Sequence, residues 1–372
     1  MTLVSLSFAI FLLVSLFTYY LIPRKFQWIV LLAASTFFYA CAGIGNFVFI
    51  IFSSAVTFFG AGFVASMNSG LAAKKQELSK DEFKIEKKAV QGRKRLVLAT
   101  MLLLNVGILV FLKYINVLFI HRTLLLPLGI SYYTLQLISY FMDVYNSKCE
   151  AEKNFLRFYS FVSFFPQLIM GPINRYPQLG RQMREEHVFD FMNIKHGVML
   201  ILFGMMKKYL LADLLYPRVV AVLDGPSTNL PGALILIGIL MYAIYQYADF
   251  SGGIDMVLGI AELFGIKMQE NFRQPYFSTS LANFWQRWHI SLGGWMRDYV
   301  FYPFAFTKSM QNLSKWCASH LGKHFARVLP AGIANILVFM LVGVWHGPEL
   351  HFFVWGLYNG LIIAFSDLLS PV

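Results

Sequence analysis

Apolar segments of membrane-spanning length recur along the whole chain, separated by short polar breaks. A hydrocarbon core about 30 Å thick needs about 20 apolar helical residues to cross it. The pattern predicts spans at about 3–21, 28–43, 46–66, 97–119, 124–142, 196–220, 231–249, 253–266, 331–347 and 349–367. We therefore predict an all-α polytopic membrane protein of about 9–11 transmembrane helices. The first segment lacks a basic n-region and a small-residue cleavage site, so we expect a retained span and not a signal peptide.

Two apolar segments depart from the pattern of a simple span. Pro166 and Pro172 interrupt the stretch Phe155–Pro172, and each proline removes a backbone hydrogen-bond donor. Broken backbone at membrane depth must be buried in protein or line a wet cavity, so this stretch is expected to be a re-entrant element. Lys207 and Lys208 interrupt the following apolar segment and are too polar for the centre of a lipid-facing helix.

Composition and charge support the membrane interpretation and suggest an orientation. The chain is 58% hydrophobic and only 13% charged, whereas soluble domains carry about 25% charged residues. Of the net charge of +12, a share of +5 lies in residues 67–95, which hold nine basic side chains and four acids. Flanked by spans, this segment is predicted to be a cytoplasmic loop and not a nucleic-acid arm. The N-terminus and the nearly uncharged loop 223–231 then lie outside, and residues 1–372 form one domain in the cell membrane.

A tryptophan- and arginine-rich stretch, NFWQRWHISLGGWMRDYVFYPF, runs from Asn283 to Phe304. If it is helical, Trp285, His289 and Gly293 share one face. An interfacial aromatic belt with arginines at the headgroups explains most of the composition. It gives no reason for His289, so the residues alone leave open a belt or a functional site.

A second histidine lies at the end of the next-to-last apolar segment. The run Ala331–Gly347 contains no ionisable residue except His346. One helix over 331–365 would be about 52 Å long, and Pro348 disfavours helical geometry at the residue before it. The helix is therefore predicted to end at this point, which leaves His346 at a helix end inside the membrane. Polar groups there are costly and usually functional; a satisfied core histidine is the alternative.

Other motifs are interpreted as structural. Cys317, His320 and His324 have a spacing that could suit a metal, but LSKWCASHLGKHFARVL is typical of a basic amphipathic helix at a membrane surface. We therefore predict no metal site. The three cysteines give no disulfide framework and are interpreted as packing residues. Asp249 and Asp255 lie within apolar sequence and are expected to face the protein interior.

Six segments together resemble the membrane-bound O-acyltransferase family, and most closely its branch of alginate O-acetylation and teichoic-acid D-alanylation subunits. In chain order they are YYLIPRKFQWIVLLAASTFFYA, LPLGISYYTLQLISYFMDVY, FVSFFPQLIMGPINRYPQL, QYADFSGGIDMVLGIAELFGI, NFWQRWHISLGGWMRDYVF and VWHG. The resemblance covers most of the chain. It departs at ADFSGG, where a commoner family pattern ends in Gly-Tyr, and after His346, where only residues 347–372 follow although the family usually has more spans.

The resemblance implies a bowl of helices around a central tunnel, with transfer of an acyl group from a cytoplasmic thioester to a hydroxyl outside. It implies that His346, in WHG, is the essential histidine and that His289, in RWHISL, is a second active-site histidine. Pro166 and Gln167 fall in its PQL element, which coincides with the re-entrant stretch inferred from the prolines.

The expected chemistry assigns separate roles to the two histidines. His346 would accept the proton of the acceptor hydroxyl as that oxygen attacks the thioester carbonyl. His289 would orient the thioester or stabilise the developing charge. A covalent acyl-enzyme stays open, although no activated serine or cysteine is evident. The residues expected to line the chamber are Asn283, Trp285, Arg287, Trp288, Trp345, Pro166 and Gln167.

The N-terminal segment and LPLGISYYTLQ resemble the alginate O-acetylation subunits, and this resemblance implies acetyl-CoA as donor and a surface polysaccharide, or a partner transferase, as acceptor. A D-alanyl carrier protein and teichoic acid are the alternative. No bound cofactor beyond the donor thioester and no nucleic acid is expected. A lipid or glycan transporter would show internal symmetry and paired charges at the membrane midplane, and the sequence suggests neither. A scaffold that recruits a separate transferase is the third interpretation.

Overall fold

A computed structural model describes residues 3–114, 126–225 and 230–370. Within these residues the chain is helical and has no β-strand. Five helices are long and apolar enough to cross a membrane: Ile44–Lys74, Lys80–Tyr114, Gly232–Leu263, Lys323–His346 and Leu350–Leu369. The prediction of an all-α polytopic membrane protein is confirmed. Parts of the predicted spans 97–119 and 124–142 lie outside the described residues.

The α-helices, in chain order, are α1 (Leu6–Leu21), α2 (Gln27–Cys41), α3 (Phe47–Lys74), α4 (Lys80–Val110), α5 (Ile130–Tyr145), α6 (Phe155–Ser163), α7 (Phe165–Met170), α8 (Tyr176–Gln182), α9 (Phe191–Met205), α10 (Asp213–Leu223), α11 (Gly232–Leu263), α12 (Leu281–Arg287), α13 (Ile290–Met296), α14 (Tyr302–Ala305), α15 (Lys308–His320), α16 (Lys323–His346) and α17 (Leu350–Leu369). Two π-helical segments, Met206–Ala212 and Arg297–Phe301, follow α9 and α13 directly.

The chain divides into two compact units. Unit 1 comprises Met1–Phe47 and Leu156–Phe272, and unit 2 comprises Val48–Phe155 and Arg273–Val372. The expectation of one membrane domain over 1–372 stays a prediction.

The basic segment 67–95 is helical, not a loop. α3 continues to Lys74 and α4 begins at Lys80, so only residues 75–79 separate them. The start of α4 is a capping box in which Ser79 accepts from the Glu82 N–H and Glu82 accepts from the Ser79 N–H. The prediction of a loop is therefore wrong. The charged residues indicate exposure to solvent but not an irregular backbone, because lysine and glutamate form helices readily.

The orientation can be tested by site-directed labelling. A cysteine replacing Lys80 should react with a membrane-impermeant thiol reagent only from the cytoplasmic side, because the +5 segment is retained inside. A cysteine replacing Thr228, which lies outside the described residues, should react only from outside. Labelling of the residue-80 cysteine in intact cells would reverse the orientation and the proposed side of the donor.

Two glycine pairs bring α9 and α11 of unit 1 into backbone contact. A Cβ on Gly204 would lie 2.5 Å from the Gly252 carbonyl oxygen, and one on Gly197 would lie 2.7 Å from that of Gly259. Small residues of this kind let membrane helices approach closely. The prediction of separate spans at 231–249 and 253–266 is wrong, because α11 runs unbroken through the glycines and uses them for packing.

The polar side chains of these helices pair with one another. Lys207 forms an ion pair with Asp255 and donates to the Ser251 hydroxyl at 3.0 Å. Lys208 forms an ion pair with Asp249. The aspartates therefore face protein, as predicted. The sequence suggested no paired charges of the kind found in transporters, whereas these two ion pairs join apolar segments of unit 1. The absence of charge pairs from the membrane midplane stays a prediction.

In unit 2, α16 and α17 form an antiparallel hairpin. α16 ends at His346 and α17 begins at Leu350, which confirms the predicted helix end before Pro348. Gly343 and Gly356 lie against main-chain carbonyls of the facing helix, so that a Cβ at either position would collide with backbone. The break thus sits at the tip of a tightly packed pair of helices.

The residues Cys317, His320 and His324 are divided between α15 and α16. Cys317 is fully buried, whereas the His320 ring stacks on Trp316 with centroids 4.9 Å apart. His324 lies on α16, with its Nε2 3.1 Å from the Leu368 carbonyl oxygen. Among the described residues no group of three or more potential metal ligands occurs. The packing interpretation suits Cys317 but is wrong for Cys41, which is exposed.

The prediction of one amphipathic helix over this stretch is wrong, because the chain breaks at Leu321 and Gly322 between α15 and α16. We expect the His320→Ala/His324→Ala variant to fold and insert with little loss of stability, because His320 is exposed and His324 loses one hydrogen bond, to the Leu368 carbonyl. Thermal unfolding in detergent and elemental analysis of the purified protein would check this. Stoichiometric zinc in the wild type that is lost in the double variant would contradict the structural interpretation.

Candidate active site

His289 lies in a break between two short helices of unit 2. α12 ends at Arg287, Trp288 is extended, and His289 adopts a left-handed conformation with φ +48° and ψ +50° before α13 begins. The stretch is therefore not one continuous helix, and the shared face of Trp285, His289 and Gly293, expected only if it were, is not formed. A non-glycine residue in this region costs about 1–3 kcal/mol, and such residues cluster at functional sites.

The side chain of His289 is only 5% exposed. Its ring meets the ring of Trp345 edge-on, with centroids 6.4 Å apart. His289 lies outside the five long apolar helices, and burial, together with the nearby His346, lowers its pKa to about 3. Its imidazole is therefore neutral at physiological pH and can either donate or accept a hydrogen bond.

His346 is the last residue of α16, and its side chain is accessible. The imidazole stacks on Phe352 at 5.9 Å and meets Trp355 edge-on at 5.7 Å. The ring of the preceding residue, Trp345, is 5.0 Å away. Its contacts within the described residues are thus aromatic rings, not hydrogen bonds, which favours a functional histidine over a satisfied core histidine. The rings of both histidines thus meet the ring of one shared neighbour, Trp345.

Trp285 joins the same aromatic cluster through α17. Its ring meets Trp355 edge-on at 5.5 Å, and its Nε1–H donates to the Asn359 side-chain oxygen at 3.2 Å. Sequence reasoning missed Asn359, which is 5% exposed within an apolar helix. A buried amide among apolar residues was the signal that could have identified it.

The other predicted residues of the tryptophan-rich stretch have contacts that do not involve the histidines. Trp288 stacks on Phe284 with centroids 5.5 Å apart. Asn283 donates its backbone N–H to the Ser280 hydroxyl, and the Arg287 carbonyl accepts from Arg273. Roles in substrate binding stay predictions for Asn283, Arg287 and Trp288.

Pro166 and Gln167 belong to unit 1. The predicted interruption is present, since α6 ends at Ser163 and α7 begins at Phe165, with Pro166 in its first turn. Gln167 is 1% exposed, and its amide donates to the Phe161 carbonyl and accepts from Asn174. The Gln167 amide thus supplies a hydrogen-bond partner to the interrupted backbone, which such a segment needs within a membrane. Its insertion as a re-entrant element and its contact with substrate stay predictions.

A cavity of about 1070 Å³ in unit 2 lies between α3 and the segment after α5, with Phe59, Asn68 and Lys153 among its lining residues. It contains neither histidine.

The comparison with protein families agrees with the motifs. Residues 150–312 match the family described as MBOAT, membrane-bound O-acyltransferase family. The chain belongs to the membrane-bound O-acyltransferase family. The matched region contains Pro166, Gln167 and His289, and His346 follows it along the chain.

Several bacterial proteins are similar in sequence to this chain. The "Probable alginate O-acetylase AlgI" of Pseudomonas fluorescens is 35% identical over 68% of this chain and 47% of its own length. The peptidoglycan O-acetyltransferase of Helicobacter pylori is 30% identical, over 76% of this chain and 57% of its own. The teichoic acid D-alanyltransferase of Bacillus subtilis is 30% identical over 64% of this chain and 58% of its own length. The chain spans about half the length of these relatives.

Proposed function

We propose that this chain transfers an acyl group, most readily acetyl, from a cytoplasmic thioester across the cell membrane to a hydroxyl outside. The acceptor would be a cell-surface polysaccharide or a partner transferase. The observation that carries the proposal is the meeting of His289 and His346, from segments 57 residues apart, on the ring of Trp345. A strained, buried histidine and an accessible one at a helix end make a pair suited to acid–base chemistry.

The proposed reaction is a direct acyl transfer. His346 accepts the proton of the acceptor hydroxyl as the oxygen attacks the thioester carbonyl. His289, neutral and buried, donates a hydrogen bond to the oxygen on which negative charge develops. When the C–S bond breaks, the leaving thiolate takes up the proton held by His346. Neither a metal nor a redox partner is needed for the atoms and charges to balance.

The names of the relatives support this class of acceptor. One relative is named for O-acetylation of alginate and another for O-acetylation of peptidoglycan. Since the B. subtilis relative is named for D-alanyl transfer to teichoic acid, a D-alanyl donor is the second candidate. Both candidates share the transfer of an acyl group to a hydroxyl, and they differ in the thioester consumed.

The experiment that separates the two candidates offers each thioester to the purified protein in lipid vesicles. Labelled acetyl-CoA is supplied in one arm and a D-alanyl-loaded carrier protein in the other, each with its acceptor, a polysaccharide or teichoic acid, enclosed in the vesicles. The release of free thiol and of ester-linked label is followed. We expect consumption of acetyl-CoA that is lost in His346→Ala. Consumption of the D-alanyl carrier alone would favour the second candidate, and consumption of neither by the wild type would contradict acyl transfer.

A further inference from the structure

The last carbonyl groups of α16 have no hydrogen-bond donor within the helix, because no further turn follows. The last carbonyls of any helix need partners from elsewhere. Here Lys113 donates through its Nζ to the Trp345 carbonyl, and the Tyr114 hydroxyl donates to the Gly347 carbonyl at 3.2 Å. Two consecutive side chains thus bind the carbonyls immediately before and after His346.

Trp345 is held by its side chain as well as by its carbonyl. Its Nε1–H points to the Ser131 carbonyl at 3.4 Å, and its ring meets Tyr132 edge-on at 5.8 Å. The Lys113 ammonium lies 5.6 Å from the centre of the same ring. The start of α5 and the segment after α4 therefore fix the residue against which His289 and His346 both lie.

A lysine at this position is costly unless it has a role. Lys113 lies near the end of the apolar helix Lys80–Tyr114, and an ammonium group in such a helix is costly to remove from water. A cation is favourable at a helix C-terminus, where the carbonyl dipoles point at it. Glu349, just beyond the break, is close enough to interact with Lys113 electrostatically.

Unit 2 contains a second lysine that binds the carbonyl at a helix end, and it does not contact either histidine residue's neighbour Trp345 in the described residues. Lys94 donates to the Tyr145 carbonyl at 2.8 Å, and its ammonium lies 4.3 Å from the centre of the Tyr145 ring. Tyr145 is the last residue of α5, so Lys94 also caps a helix end. Lys113 binds the carbonyl of the residue next to His346, whereas Lys94 binds a carbonyl with no histidine beside it. Lys94 is therefore a matched control.

We propose that Lys113 and Tyr114 are positioning residues for the reaction proposed above, because they clamp the broken end of α16 on both sides of His346. The clamp leaves the imidazole itself without a hydrogen bond to the clamping side chains, so the ring is oriented and stays available to substrate. This inference rests on the proposed function of His346.

The test compares Lys113→Met, Lys113→Arg, Tyr114→Phe and the control Lys94→Met in inverted membrane vesicles supplied with radiolabelled acetyl-CoA. For Lys113→Met we expect kcat for ester formation to fall by about 10²-fold, the loss expected when a catalytic group is displaced by about 1 Å. The KM for acetyl-CoA should change little. Lys113→Arg, which restores a donor and a charge, should recover much of the loss, and Tyr114→Phe should lower kcat less.

Lys94→Met should lower the melting temperature in detergent without lowering kcat per folded protein. Equal losses of kcat in Lys94→Met and Lys113→Met would show a general effect on stability and overturn the clamp. If Lys113→Met does not fold, Tyr114→Phe decides, and wild-type kcat in that variant would count against the clamp. An inactive His346→Ala beside a fully active Lys113→Met overturns the clamp alone, whereas a fully active His346→Ala overturns the proposed function and the clamp with it.

Discussion

His346→Ala should abolish acyl transfer and leave a folded, inserted protein. Loss of a general base is worth about 10²–10⁴ in rate. The protein should fold because the accessible ring of His346 makes aromatic contacts, so its removal leaves no buried hydrogen-bonding group unpaired. Thioester binding should persist, since in our proposal the donor is recognised from the cytoplasmic side. Turnover of labelled thioester and equilibrium binding, measured on one preparation, would check both expectations.

Two further variants sharpen the test of His346. His346→Gln keeps hydrogen-bonding capacity but accepts no proton at neutral pH, so it should be as inactive as His346→Ala. His351→Ala is the matched control, because His351 is an exposed histidine five residues along the chain whose ring contacts Phe352. Substantial transfer by His346→Gln would make His346 a group that positions substrate and not a base. Failure of His346→Ala to fold would make it a structural residue.

His289→Ala should lower the rate of transfer by about 10²–10³, the usual cost of removing one group that stabilises developing charge. The structure adds a complication, because residue 289 is held in a left-handed conformation that alanine also tolerates poorly. His289→Asn separates the two causes, since asparagine accepts this conformation more readily but is not an imidazole. Both variants should insert normally and should be measured for turnover and for melting temperature.

If the imidazole matters, both His289 variants lose transfer. If only the backbone conformation matters, His289→Asn recovers activity that His289→Ala lacks. Near-wild-type turnover in both variants would return this stretch to the interpretation of an interfacial aromatic belt, in which a histidine is dispensable.

Much of the architecture follows from local properties of the chain. Hydropathy and length predict the apolar helices, since about 20 apolar residues have few other stable states in a membrane. The end of α16 before Pro348 is predictable because proline restricts the residue that precedes it. The position of Pro166 in the first turn of α7 follows from its missing backbone donor, which a helix needs least at its start. The two histidines could be singled out because each is out of place in its own segment.

Other features could not be predicted, because distant partners decide them. α11 continues through Gly252 since the backbone of Gly204 packs against it. His289 lies at a break between α12 and α13, and the surrounding fold must offset the cost of its left-handed conformation. The sequence predicted a chamber without Lys113, whose partner Trp345 lies 232 residues further along the chain.

The sequence by itself thus determined the helical membrane class and the ends of several helices, and it singled out His289 and His346 as candidate active-site residues. Only the tertiary structure decided that His289 and His346 meet on Trp345, that Lys207 pairs with Asp255, and that a lysine caps the break beside His346. A local pattern reports what a segment prefers on its own. A strained backbone or a buried charge persists only where residues far apart in sequence offset its cost, and folding is what brings those residues together.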